Sequence, residues 1–194
     1  MGFFKSCLNV VLKRDAVFAV MNAFCFGSVF VAVLWAQFQF PVACEGVPVE
    51  NVEFLVSGDW LIMIFGIFLV NLVLSSFVVV TLPGLVFFPL SAAALVYRGF
   101  SWGVLLSQLP TPQFLVVLPT LVLEGEGYVV ASVAGIVLGL SWLKPSWVFK
   151  GEKLSRREAF RRALGECLRI YILVAMILFV AAIVETFTIL SLTA

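Results

Sequence analysis

Between Ala16 and Phe40 the chain runs 25 residues without a charged side chain, and from Trp60 to Tyr97 it is uncharged again. A helix crosses the ~30 Å hydrocarbon core of a bilayer with about 20 apolar residues, so runs of this length belong in lipid. Composition agrees: 63% of the 194 residues are hydrophobic and 12% charged, against about half and a quarter in soluble domains. The expected fold class is all-α, a polytopic membrane helix bundle of about five spans. It forms one transmembrane domain over residues 1–194, with a broken or re-entrant segment in the middle.

Residues 1–15 read as an interfacial helix, with Phe3, Phe4, Cys7, Leu8, Val11 and Leu12 at helical spacing and Lys5 and Lys13 opposite. The first span, Ala16 to Phe40, is too long for the core of a signal peptide. An outside loop at 41–59 carries Glu45, Glu50, Glu53 and Asp59 without Lys or Arg. The second span, Trp60 to Leu82, stops at Pro83-Gly84. Two arrangements fit the middle. Leu85 to Leu109 forms one kinked span, or Leu85 to Tyr97 crosses alone and Phe100 to Leu123 folds back as a re-entrant hairpin turning at Pro110-Thr111-Pro112. Gln113 to Leu143 is long for one span and is interrupted by Pro119 and by Glu124-Gly125-Glu126-Gly127, which favours the re-entrant form. A last span, Cys167 to Leu192, follows a basic segment at 144–168. Of the twelve Lys and Arg, eight fall between Lys144 and Arg169 and three precede the first span. That bias predicts a multi-pass protein of the cell membrane with a cytoplasmic N-terminus, a cytoplasmic basic segment and an outside C-terminus.

The chain has no histidine, which removes His-based acid/base catalysis, His-assisted nucleophiles and His-ligated metals. Cys7, Cys25, Cys44 and Cys167 match no metal or redox spacing. No catalytic residue, cofactor or metal site is expected, and a net charge of +1 gives no reason to expect nucleic acid. The residues that could carry chemistry are Glu124, Glu126, Glu185, Arg98 and Asn71, a candidate intramembrane polar site. An acid near the centre of a membrane helix costs about 2.5–3.5 kcal/mol on insertion scales. Glu124 and Glu126 serve a proton, a cation or a polar substrate, or else Glu126 reaches the headgroups while Glu124 pairs with Arg98. Arg98 is an interfacial anchor or that counter-ion. Gly127, Ala131, Gly135 and Gly139 form a small-residue ladder for close helix packing. The basic segment suits anionic lipid, a partner in a membrane complex, or a second copy of the chain.

Several short motifs resemble the stage II sporulation protein M family of integral membrane proteins. Leu118-Pro119-Thr120-Leu121-Val122-Leu123-Glu124-Gly125-Glu126-Gly127 is similar to the family's Leu-Pro-His-Gly-x-x-Glu-Leu-Pro-Ala motif, with Gly135 and Gly139 after it. Thr120 stands in place of the motif His, and Gly125-Glu126 in place of Leu-Pro. Ala181-Ala182-Ile183-Val184-Glu185-Thr186-Phe187 resembles the family's last span, and Asn71 an Asn early in span two. Arg98-Gly99-Phe100-Ser101-Trp102-Gly103 resembles a family Asn-Gly-x-x-x-Gly turn. The resemblance implies a membrane component without established enzymatic activity; its best-known members act in a membrane-anchored complex with cell-wall-degrading enzymes during engulfment in spore formers. Two function classes follow: a non-enzymatic scaffold or complex subunit, and a transporter or channel using the buried Glu and Arg residues.

Overall fold

The computed structural model describes residues 3–39 and 59–193. The acidic loop expected at 41–59 and Cys44 lie, Asp59 apart, outside the described residues. Short connections apart, those described are helical and hold seven helices: α1 (Phe3–Leu12), α2 (Asp15–Gln39), α3 (Trp60–Val86), α4 (Pro89–Leu106), α5 (Thr111–Leu143), the single turn α6 (Pro145–Val148) and α7 (Arg156–Thr193). Of these, α2, α3, α5 and α7 are long and apolar enough to cross a membrane. With 18 residues, α4 spans about 27 Å at 1.5 Å per residue and carries Arg98 at its centre.

The five long helices alternate in direction. Gly99 lies against Cys25 and Gly103 against Val29 and Ala32, so α2 and α4 run parallel. Ser91 meets Ser132 while Arg98 meets Tyr128, so α5 runs back along α4. Phe68 packs on Phe179 and Phe77 on Tyr171, which sets α7 antiparallel to α3. In the middle is α5, whose residues 127 to 139 are all buried without a gap. A helix hidden on every side needs small residues wherever a neighbour's backbone comes close. The predicted ladder meets that need on two sides: Gly127 faces Leu178 of α7, while Gly135 and Gly139 face Ser91 and Phe88. Outward faces carry large apolar side chains such as Phe30, Phe38, Ile62, Val86 and Leu168, as lipid contact requires.

The middle of the chain departs from the re-entrant expectation. α4 passes unbroken through Arg98-Gly99, and α5 is one 33-residue helix with Pro119 inside it. Pro119 removes one N–H in the third turn of α5, and the Glu-Gly-Glu-Gly stretch stays helical with Phe26 against Gly125 and Leu178 against Gly127. Gly99 and Gly103 form no turn. A Cβ at Gly99 would come within 2.6 Å of the Cys25 carbonyl, and one at Gly103 within 2.6 Å of the Ala32 side chain. These two glycines are what let α2 and α4 touch backbone to backbone. The last helix likewise begins earlier than the expected span, at a capping box in which the Ser155 N–H donates to Glu158 Oε2 at 3.0 Å and the Glu158 N–H to Ser155 Oγ at 3.4 Å.

One stretch of α3, Val70–Thr81, is wound as a π-helix. Its buried residues are Asn71, Ser75, Ser76, Val80 and Thr81. At 100° per residue, positions 71, 76 and 81 of an α-helix would point about 140° apart in turn. Bonding from i to i+5 brings successive members nearer to one face, and Asn71 and Thr81 reach α5 from it. Thr81 Oγ1 then donates to the Ala131 carbonyl at 2.9 Å and meets Tyr171 Oη at 2.6 Å, while Ser91 Oγ donates to Val80 O at 2.7 Å.

Gly103→Leu should separate α2 from α4, costing about 1–3 kcal/mol as overpacking and lowering the melting temperature of the detergent-purified protein. Gly27→Ala, with nothing within 4 Å of the added Cβ, should melt like wild type. Equal melting of all three proteins would refute the close approach.

Candidate functional site

Three of the expected site residues come from distant parts of the chain and meet in the bundle. Asn71 is buried on α3, Glu124 on α5 is 8% exposed, and Glu185 on α7 is partly buried. A fourth, Arg98, approaches from α4. The link between them is Tyr128, one turn beyond Glu124 and fully buried. Arg98 Nη2 donates to Tyr128 Oη at 3.0 Å. Tyr128 Oη donates to Asn71 Oδ1 at 2.8 Å, and Asn71 Nδ2 donates to Glu124 Oε1. The Glu124 carboxyl is in turn within hydrogen-bonding reach of Glu185. Every donor points the same way, from the guanidinium toward the acids, so the bonds polarise one another.

Arg98 is therefore not the direct counter-ion of Glu124, since two neutral side chains stand between them. Nor does it reach out of the bundle as an interfacial anchor would. Its guanidinium carbon lies 4.5 Å from the Tyr128 ring centre and 5.3 Å from that of Trp102, where the ring faces attract the cation. Two carboxylates supply only acceptors, so the contact between Glu124 and Glu185 becomes a hydrogen bond when one of the two carries a proton. Around this contact several polar atoms are buried without a partner among the described residues: Glu185 Oε2, Thr120 Oγ1, Thr186 Oγ1 and, further off, Arg98 Nε. Thr120 is one turn before Glu124 on α5, so it shares that side of the helix.

Glu126 does not join the cluster. Two residues from Glu124, it leaves α5 on another side, toward Asn22 of α2 and a cleft lined by Leu12, Asp15 and Phe18. Tyr128 and Ser75, which also hydrogen-bonds Tyr128, were not among the expected site residues. The spacing of Glu124 and Tyr128, four apart on a helix, was the available signal for the tyrosine. Ser75 carried the same kind of signal, four residues beyond Asn71 on α3. The packing residues Gly127, Ala131, Gly135 and Gly139 flank the site on its own helix without entering it.

Tyr128→Phe keeps the ring beneath Arg98 but takes the partner from Asn71 Oδ1 and Arg98 Nη2. Each buried polar group left unpaired costs about 1–3 kcal/mol, so the variant should melt several degrees lower. Tyr97→Phe, at a position 72% exposed, should not, and a Tyr128→Phe protein as stable as wild type would show the chain of bonds to be unimportant.

No curated protein and no solved structure matches the chain significantly. Residues 16–188 match the family described as stage II sporulation protein M. The matched region takes in all five long helices up to the last turn of α7, and with them Asn71, Arg98, Glu124, Tyr128 and Glu185. Its apolar helices make it a membrane-embedded protein, and by that match the chain belongs to the stage II sporulation protein M family.

Proposed function

We propose that this chain is a non-enzymatic scaffold or subunit of a membrane complex. It sits in the cell membrane with its N-terminus and the basic end of α7 cytoplasmic and its C-terminus outside, as the Lys/Arg bias favours. The observation that carries the reading is how the buried polar groups are used. Asn71, Tyr128, Glu124 and Glu185 bond to one another and join α3, α5 and α7 to Arg98 of α4. Lipid gives helices no hydrophobic reason to associate, so such bonds and close packing set their register. The partners of a scaffold, including a second copy of the chain, then meet the outer surface. Arg156 and Arg157 are exposed at the start of α7 for that contact.

A second reading is transport of a proton or small cation. It is favoured by the unpartnered oxygens of Thr120, Glu185 and Thr186 beside the paired carboxyls, since buried acids with free acceptors suit a migrating positive charge.

Glu124→Gln and Glu124→Ala separate the two. Gln keeps an acceptor for Asn71 and offers an N–H to Glu185, so it mimics a protonated Glu124 and should retain the wild-type melting temperature. Ala strands both neighbours, at about 1–3 kcal/mol for each unpaired group, and should melt several degrees lower. In proteoliposomes the wild type should pass protons and monovalent cations no faster than empty vesicles. A flux that wild type carries and Glu124→Gln abolishes would overturn the scaffold in favour of transport.

A further inference from the structure

At the basic end of the bundle, α1 lies along the first half of α7. Cys7, Val10 and Val11 of α1 are buried, and Arg14 clamps the pair by an ion pair to Glu166 at 2.5 Å. Beside that contact opens a cleft of about 600 Å³, floored by Gly165 and bordered by Asn9, Lys13, Arg161 and Arg169. That volume is ordinary for a small-ligand site.

Its charge is one-sided. The only carboxylate on the lining, Glu166, is already taken by Arg14. Arg162, also on the lining, is held by Glu152 at 2.5 Å and lies over the Phe149 ring. Lys13, Arg161 and Arg169 are left facing the cleft without an ion pair among the described residues. Arg161, Gly165 and Arg169 are four apart, so they share one stripe of α7 with the glycine between two guanidinium groups. A Cβ at Gly165 would meet nothing within 4 Å, so the space between the cations is open. Arg14 Nη1 also bonds the Val10 carbonyl at 3.0 Å, covering part of the negative end of α1.

The same stripe of α7 continues through Leu173, Ile177 and Val180. These residues line a second, apolar cleft of about 510 Å³ whose other wall includes Leu8 and Leu12 of α1. Cations followed by an apolar groove on one helix face match the order of a phospholipid, phosphate first and acyl chain after. At 38 residues, α7 is about 57 Å long, so its basic end extends past the hydrocarbon to headgroup level.

We propose that the cleft between α1 and α7 binds a phosphate-bearing anion, supplied by the headgroup of an anionic phospholipid and held by Lys13, Arg161 and Arg169. The site lies apart from the Glu124–Glu185 cluster and does not depend on the scaffold reading.

Melting of the full chain in neutral detergent tests it. Added phosphatidylglycerol should raise the melting temperature by several degrees over the same amount of phosphatidylcholine. Arg161→Gln/Arg169→Gln should lose most of that rise. So should Gly165→Leu, which fills the cleft and leaves every charge in place. Arg156→Gln/Arg157→Gln removes the same charge from exposed positions outside the cleft and should keep the rise. Inorganic pyrophosphate alone, giving the same rise with the same variant pattern, would support the site while naming a free phosphate as its source. The proposal is overturned if neither phosphate source shifts the melting temperature, if Gly165→Leu responds like wild type, or if the Arg156/Arg157 pair loses as much as the Arg161/Arg169 pair.

Discussion

A polar side chain inside a lipid-solvated bundle has no water to turn to, so it must find its partner on another helix. The arrangement around α5 follows from that constraint. Tyr128 brings the cation of α4, the amide of α3 and the acids of α5 and α7 into one line. A few residues further along α5, Thr81 and Ser91 repeat the device with backbone carbonyls as acceptors, and the Tyr171 hydroxyl of α7 meets that of Thr81. Two polar layers along one central helix locate its neighbours both around it and along it. Apolar contact alone, between surfaces no more apolar than the lipid, could not do so.

The small residues make those layers reachable. Gly135 sits against Ser91 and Thr81, and Gly139 against the Gly84 carbonyl of α3 and Phe88 just before α4. With larger side chains there, the hydroxyls of Thr81 and Ser91 would stand too far from the carbonyls of α5 to bond them. Close packing and hydrogen bonding are thus coupled here. On the α2 side the pairing is different in kind: Gly99 and Gly103 bring α4 against α2 through backbone and Ala32, with Met21, Cys25, Val29 and Ala36 completing one buried face.

Uncharged runs such as Ala16–Phe40 were legible in the sequence because length and apolarity act residue by residue. So were Glu124 and Glu185 as residues needing a reason, and Asn71 through its resemblance to a family motif. The breaks were misleading. Pro119 and the Glu-Gly-Glu-Gly stretch read locally as interruptions, yet α5 runs through both: Gly125 packs on Phe26 and Gly127 on Leu178, while Pro119 lies at an exposed position. Arg98-Gly99 looked like a turn because a charge and a glycine in an apolar run have that local signature; the partners that make them helical, Tyr128 and the α2 backbone, are about 30 and 70 positions away in sequence. The π winding of α3 was invisible for a related reason. Only the burial of Asn71, Ser76 and Thr81 together, once the helix is formed, gives their five-residue spacing a meaning.

α7 is a single uninterrupted helix from Arg156 to Thr193, and the ion pair at Glu166 and the carboxyl of Glu185 are fixed to it 19 residues apart, roughly 28 Å. A helix without a hinge behaves as a lever. Separating Glu185 from Glu124 therefore requires moving or bending the same helix that carries the ion pair at the membrane surface.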